Sequence, residues 1–228
     1  MTVGLSRYLA QQPKLRDRSG RECLGAFDDS SKQSSRAVIV AHDFYGLTPQ
    51  IRSVMTRFAR EGFLAFAPDF YRGSVAQTPE QAKDLARRLA WNQVAVELGL
   101  AVSALKQRQP GIRVAVVGFA MGGAAAIVAA AAVADLDAAV TFYGIPQDVR
   151  VENPRIRIQG HFAFQDVKCT PERIAELDAS LGQSGVSHEL HHYEAENGFF
   201  NPTRAAWSPE HAEKAWARTL QFLGSALA

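Results

Sequence analysis

The strongest constraint in this sequence is a regular exchange between short, continuous apolar runs and longer helical patterns. Ala37-Val38-Ile39-Val40-Ala41 is apolar at every position, which is the pattern of a strand covered on both faces, as in a parallel sheet. Thr48-Pro49 follows, a hydroxyl cap with proline at the first helical position; Ile51, Val54, Met55 and Phe58 then form one stripe before Gly62. Phe63 to Ala67 reads as the next strand, and Thr78-Pro79-Glu80 opens a long helical region reaching about Arg108. Val114 to Val117 is a third strand, running through Gly118-Phe119-Ala120-Met121-Gly122-Gly123 into an alanine-rich helix. Ala138 to Tyr143, Arg155 to Gln159 and Ser187 to Tyr193 read as further strands, with helices near Pro171 to Leu181 and Pro209 to Leu227. This alternation over 228 residues predicts one α/β domain, a mostly parallel central sheet with helices on both faces. A ligand site is then expected at the carboxyl ends of the strands.

Composition narrows the function classes. Lys and Arg number 25 against 23 Asp and Glu, a net charge of +2, so no face is flooded with one sign and nucleic acid is not an expected partner. Two cysteines, Cys23 and Cys169, are too few for a disulfide framework or a cysteine-rich metal site. Met1 to Arg18 is polar and shows no apolar core of a signal segment, and Ala124 to Ala134 is too short to span a bilayer. The expectation is a cytoplasmic protein with no membrane partner, no metal and no cofactor, acting as a monomer or homodimer on a small molecule. Ser30 to Ser35 reads as a polar turn before the first clear core strand.

The segment with most chemical content is the strand–turn–helix around Gly118-x-Ala120-x-Gly122. Small residues on either side of a central position allow a sharp turn that projects the central side chain above the sheet, while N–H groups at the helix start point at an oxyanion. The central side chain here is a methyl group.

Five segments in order resemble the dienelactone hydrolase family of α/β-hydrolase-fold proteins. They are Val38 to Leu47, Ala67-Pro68-Asp69-Phe70-Tyr71-Arg72-Gly73, Val117 to Gly123, Gly160-His161-Phe162-Ala163-Phe164-Gln165-Asp166 and Asn197-Gly198-Phe199-Phe200-Asn201. The resemblance implies a single α/β-hydrolase domain over residues 1–228 and a triad site. It puts Ala120 where the family has a nucleophilic cysteine or serine, and Asn197 where it has the catalytic histidine. Asp166 keeps the acidic position, and Asp43 replaces a glutamate after the first core strand. The family's oxyanion donors map onto the backbone N–H groups of Phe44 and Met121.

Those substitutions decide against one reaction. A methyl group cannot attack an ester, and a neutral amide cannot accept its proton near neutral pH. Loss of the nucleophile or base of a hydrolase triad costs on the order of 10⁶ in turnover. Retained donors can still polarise a carbonyl or enolate, and a carboxylate base, Asp43 or Asp166, then suffices for isomerisation, dehydration, cyclisation or C–C cleavage. The plain structural alternative for both aspartates is a loop cap satisfied by backbone N–H groups.

His42 and His161, each assigned to a strand end, are candidates to bind substrate or shuttle a proton, with a histidine buried under a loop as the alternative. Arg72 could grip a substrate carboxylate or join a surface ion pair. Tyr45, Tyr143, Phe164, Phe199 and Trp207 would line or cover the pocket if the resemblance holds, or serve as core aromatics. His188, His191 and His192 share a strand, but alternation turns His191 to the opposite face, which disfavours a metal site. Three readings follow: a repurposed lyase-, isomerase- or cyclase-like enzyme with a degenerate triad, a small-molecule-binding pseudoenzyme, and a nucleophile-disabled variant of a lactone or ester hydrolase.

Overall fold

The computed structural model describes residues 14–28, 30, 34–147, 150–153 and 155–228. The chain forms two compact units, Met1–Val114 and Ala115–Ala228. Most of the polar Met1 to Arg18 segment lies outside the described residues, as does part of the Ser30 to Ser35 turn.

In the first unit run β1 (Lys14–Arg16), β2 (Glu22–Asp28), β3 (Arg36–Ala41), α1 (Pro49–Arg60), β4 (Leu64–Pro68), α2 (Pro79–Arg88) and α3 (Trp91–Arg108). The strands lie in the order β1-β2-β4-β3; β1–β2 and β2–β4 are antiparallel and β3–β4 is parallel. The capping signals act as read: the Thr48 hydroxyl accepts from the Ile51 N–H at 3.4 Å and the Thr78 hydroxyl from the Gln81 N–H at 3.3 Å. Ile51, Val54, Met55 and Phe58 all face the interior. β1 and β2 were not legible, because β1 is three residues long and Gly25 interrupts β2. The helical region expected from Thr78 to Arg108 is two helices. Leu89 and Ala90 turn to extended backbone between them, and nothing in the local sequence marks the break.

The second unit holds most of β5 (Arg113–Phe119), then α4 (Met121–Ala132), β6 (Ala138–Phe142), β7 (Arg157–Gln165), α5 (Pro171–Gln183), β8 (Ser187–Glu196) and α6 (Pro209–Ala226). The order β5-β6-β7-β8 is parallel throughout. β6 is buried at all five positions, as a strand covered on both sides requires. Odd-numbered Gln159 and His161 of β7 meet Arg218 and Thr219 of α6, while even-numbered His188 of β8 meets Asp178 of α5. Alternation along the strands therefore sets α5 and α6 on opposite faces. β7 continues six residues past the expected end at Gln159, since its partner β8 runs on beside it to Glu196. No helix among the described residues is long and apolar enough to cross a membrane.

Candidate functional site

Between β5 and α4 the chain turns on Ala120, which adopts φ 50 and ψ −111, a left-handed conformation that an L-residue rarely holds. Close backbone contacts keep it there. A side-chain carbon on Gly118 would lie 1.8 Å from the Gly122 carbonyl oxygen, and one on Gly144 would lie 2.0 Å from the Ala120 carbonyl oxygen. The Ala120 N–H donates to the Phe142 carbonyl at 2.9 Å, tying the turn to the end of β6. Ala120 is half-buried, and Met121 heads α4, whose first-turn N–H groups have no acceptor within the helix. The next strand end is strained too: Tyr143 has φ 41, is 5% exposed, and donates its N–H to the His161 carbonyl at 2.8 Å.

Asp166 and Asn197 meet one step further along the sheet. The last register pair of β7 and β8 is Gln165 with Glu196, so the next residue on each strand faces the other. Asn197 Nδ2 donates to Asp166 Oδ2 at 2.7 Å. Asp166 Oδ1 accepts from the backbone N–H groups of Lys168 at 2.8 Å and Cys169 at 3.1 Å. The carboxylate is 5% exposed with donors on both oxygens, so its geometry suits orientation of Asn197 rather than removal of a proton from a ligand. An aspartate accepting N–H bonds two and three residues on is an Asx-type turn, a signal present in Asp166-Val167-Lys168-Cys169. The Asn197 turn packs toward Ala120 through its aromatics: Phe200 lies 5.1 Å from Phe119 and Phe199 lies 5.6 Å from Tyr143, ring centre to ring centre.

Several expected ligand contacts are core contacts. His161 lies within β7, four residues before its end, and is fully buried. Glu189 fixes the network around it. Gln159 donates its amide to Glu189 Oε1 at 2.8 Å, which turns Gln159 Oε1 toward His161 Nε2, also at 2.8 Å. Nε2 therefore carries the proton, and Nδ1 accepts from the Tyr193 hydroxyl at 2.8 Å. Burial, followed by the nearby His191 and Arg218, holds this imidazole well below its usual range, so it is neutral. It can neither touch a ligand nor shuttle a proton to one. Gln159, Tyr193, Arg218 and Thr219 carried no sequence signal, because the network exists only where α6 crosses β7 and β8.

His42 is equally sequestered. Its Nδ1 donates to the Asp43 carbonyl at 2.8 Å and its Nε2 accepts from the Phe70 N–H at 3.2 Å, while burial lowers its affinity for a second proton. Arg72, with φ 53, pairs through Nη2 with Glu97 Oε1 at 2.5 Å instead of standing ready for a carboxylate. Burial raises the Glu97 carboxyl above its ordinary value and Arg72 opposes that rise. Asp43 is half-buried on the loop after β3, where its Oδ1 accepts from the Tyr45 N–H at 2.8 Å; Phe44 and Tyr45 are half-buried beside it.

The aromatics divide. Phe199 is fully buried and belongs to the core, while Phe164 is 51% and Trp207 46% exposed, so neither covers an enclosed space. Phe164 stacks on His192 at 5.3 Å. Cys169 is buried, its thiol pushed up to about 12 by desolvation and then by Asp166, and it is no substitute nucleophile.

Comparison with known proteins identifies the family and the fold. Residues 24–227 match the model of the dienelactone hydrolase family. "Protein usf" of Aquifex pyrophilus is 31% identical over 204 residues, covering 84% of this chain and 88% of that protein. A carboxymethylenebutenolidase from Pseudomonas sp. (strain P51) is 30% identical over 199 residues, covering 82% and 83%. The crystal structure of a dienelactone hydrolase-like promiscuous phosphotriesterase from metagenomic libraries superposes with a TM-score of 0.82 at 20% identity, covering 96% of this chain and 99% of that one. Its fold is thus the α/β-hydrolase fold, and by family model and relatives alike this chain belongs to the dienelactone hydrolase family.

Proposed function

We propose that this chain is a diverged dienelactone hydrolase relative that has given up covalent hydrolysis. It performs proton-transfer chemistry on a small cyclic or enolisable carbonyl compound: isomerisation, dehydration, cyclisation or C–C cleavage. The observation that carries the reading is Ala120. Its backbone keeps the strained turn at φ 50, yet its side chain offers no attacking atom. The Met121 N–H at the head of α4 is the donor that polarises the carbonyl in this scheme.

Asn197 fits the same reading. It takes the hydrogen bond to Asp166 that a histidine would take, but its amide cannot store a proton. Asp166, with three donors on its two oxygens, orients Asn197. The other carboxylate read as a candidate base, Asp43, is half-buried on the loop after β3. A nucleophile-disabled hydrolase would explain Ala120 but leave Asn197 without a reason, because one loss already stops the reaction. The full engagement of Asp166 favours a second reading, a pseudoenzyme that binds such a compound without changing it. Two free, buried cysteines support a reducing, cytoplasmic setting for either.

Incubation with candidate lactones, enols and polyketide-like precursors, followed by mass spectrometry, tests the proposal. An altered product with no acyl adduct on the protein is the expected result. Recovery of unaltered ligand would transfer the assignment to the binder. An acyl adduct, or simple ester hydrolysis at rates typical of the family, would overturn both.

A further inference from the structure

We propose that Asp166, acting through Asn197, sets the hydrogen-bond polarity of this site, so that it takes a ligand presenting a hydroxyl or N–H donor. The inference rests on the functional reading above and adds the class of group that the ligand must carry.

An ionised carboxylate only accepts hydrogen bonds. Asp166 Oδ1 is held by the Lys168 and Cys169 N–H groups, and Oδ2 faces Asn197 at 2.7 Å. The contact is possible only with the NH₂ end of Asn197 toward Asp166, which turns Asn197 Oδ1 away. That oxygen has no protein partner among the described residues, and Asn197 is half-buried. A neutral imidazole hydrogen-bonded to Asp166 would offer a nitrogen that accepts a proton and returns it. An amide oxygen accepts a hydrogen bond and keeps no proton, so the position reads a donor on the ligand rather than moving one. With an N–H donor at the head of α4, the matching ligand carries both an acceptor carbonyl and a neighbouring hydroxyl or N–H. Hydroxylated lactones and hydroxy ketones have that chemistry; a simple ester does not.

The two backbone N–H groups at Asp166 make the assignment testable by inversion. In Asp166→Asn, the new amide must keep its oxygen toward Lys168 and Cys169, so its NH₂ faces Asn197. Asn197 then turns its oxygen to that NH₂ and its own NH₂ toward the ligand. Asp166 is a positioning residue here, and a merely structural role would lower affinity for both probes without abolishing a preference.

The probes are α-hydroxy-γ-butyrolactone and its methyl ether, α-methoxy-γ-butyrolactone, with binding followed by NMR. The native protein is expected to prefer the hydroxy compound about tenfold, as one net hydrogen bond implies. Asp166→Asn and Asn197→Leu are each expected to lose the distinction, the first because an NH₂ donates alike to a hydroxyl or an ether oxygen, with thermal midpoints confirming that each variant folds. Should Asp166→Asn fail to fold, the loss of preference in Asn197→Leu carries the test. An equal response of the native protein to both probes, no response to either at their solubility limit, or a preference for the hydroxy compound retained in folded Asp166→Asn would overturn the assignment. An acyl adduct with either lactone would instead sink the underlying non-covalent reading.

Discussion

Asn197 Nδ2 lies 2.7 Å from Asp166 Oδ2, and a slip in strand register makes that contact possible. From Arg157 with Ser187 to Ala163 with Tyr193, β7 and β8 keep one pairing offset; at Gln165 with Glu196 the offset has grown by one residue, through a bulge. Without that extra residue, Asp166 would face Glu196, a second carboxylate. The bulge therefore selects which side chain the Asp166 carboxylate meets, a role that bulges often play beside functional sites.

On the proposed function, an attacking atom placed at position 120 alone is expected to achieve nothing. Ala120→Cys should leave hydrolysis of an activated ester at the native background, because Asn197 cannot take the thiol proton. Ala120→Cys with Asn197→His should raise the rate by at least about 10²-fold and show an acyl-enzyme burst, since nucleophile and base act as a unit. A rise of that size from the single change would refute the assignment of Asn197.

The strained turn makes its own prediction. Holding alanine at φ 50 stores about 1–3 kcal/mol, of which glycine's looser unfolded chain offsets a part. Ala120→Gly should therefore stabilise the protein by about 1 kcal/mol in urea unfolding. Equal or reduced stability would mean that the turn is unstrained.

Gly118→Ala should act in the opposite direction. The added carbon would sit 1.8 Å from the Gly122 carbonyl, which is backbone and cannot swing aside. A loss of about 3 kcal/mol is expected, at the upper end for overpacking. A neutral result would show that β5 and α4 are not held as closely as described.

Acid stability should follow the buried histidines. Burial depresses the folded-state affinity of His42 and His161 for protons, while the unfolded chain binds them below about pH 6.5. The unfolded state then holds more protons, so the stability due to their neutral burial is present above that pH and is lost as pH falls below it. Each histidine contributes a slope of up to about 1.4 kcal/mol per pH unit. Urea unfolding between pH 5 and 6.5 should show a shallower slope, by about one proton, in His161→Gln. An unchanged slope would mean that His161 titrates alike in both states.

The sequence by itself determined the alternation of strands and helices, the caps at Thr48 and Thr78, and the strand–turn–helix around Ala120. Each is written locally: apolar runs, hydroxyl–proline pairs and small residues at fixed spacing act over a few positions of chain. It also determined that position 120 carries a methyl group and position 197 a neutral amide, since no fold can give a methyl group a nucleophilic atom. Tertiary structure alone decided the rest. Whether His42, His161 and Arg72 face a ligand depends on partners such as Phe70, Tyr193 and Glu97, 25 to 32 residues away along the chain. Which oxygen of Asp166 meets Asn197, and which end of that amide turns outward, depends on a bulge in one strand pair and two N–H groups in a loop. Hydrogen-bond polarity is a property of donors brought together across strands, and residue identities do not state it until the register is set.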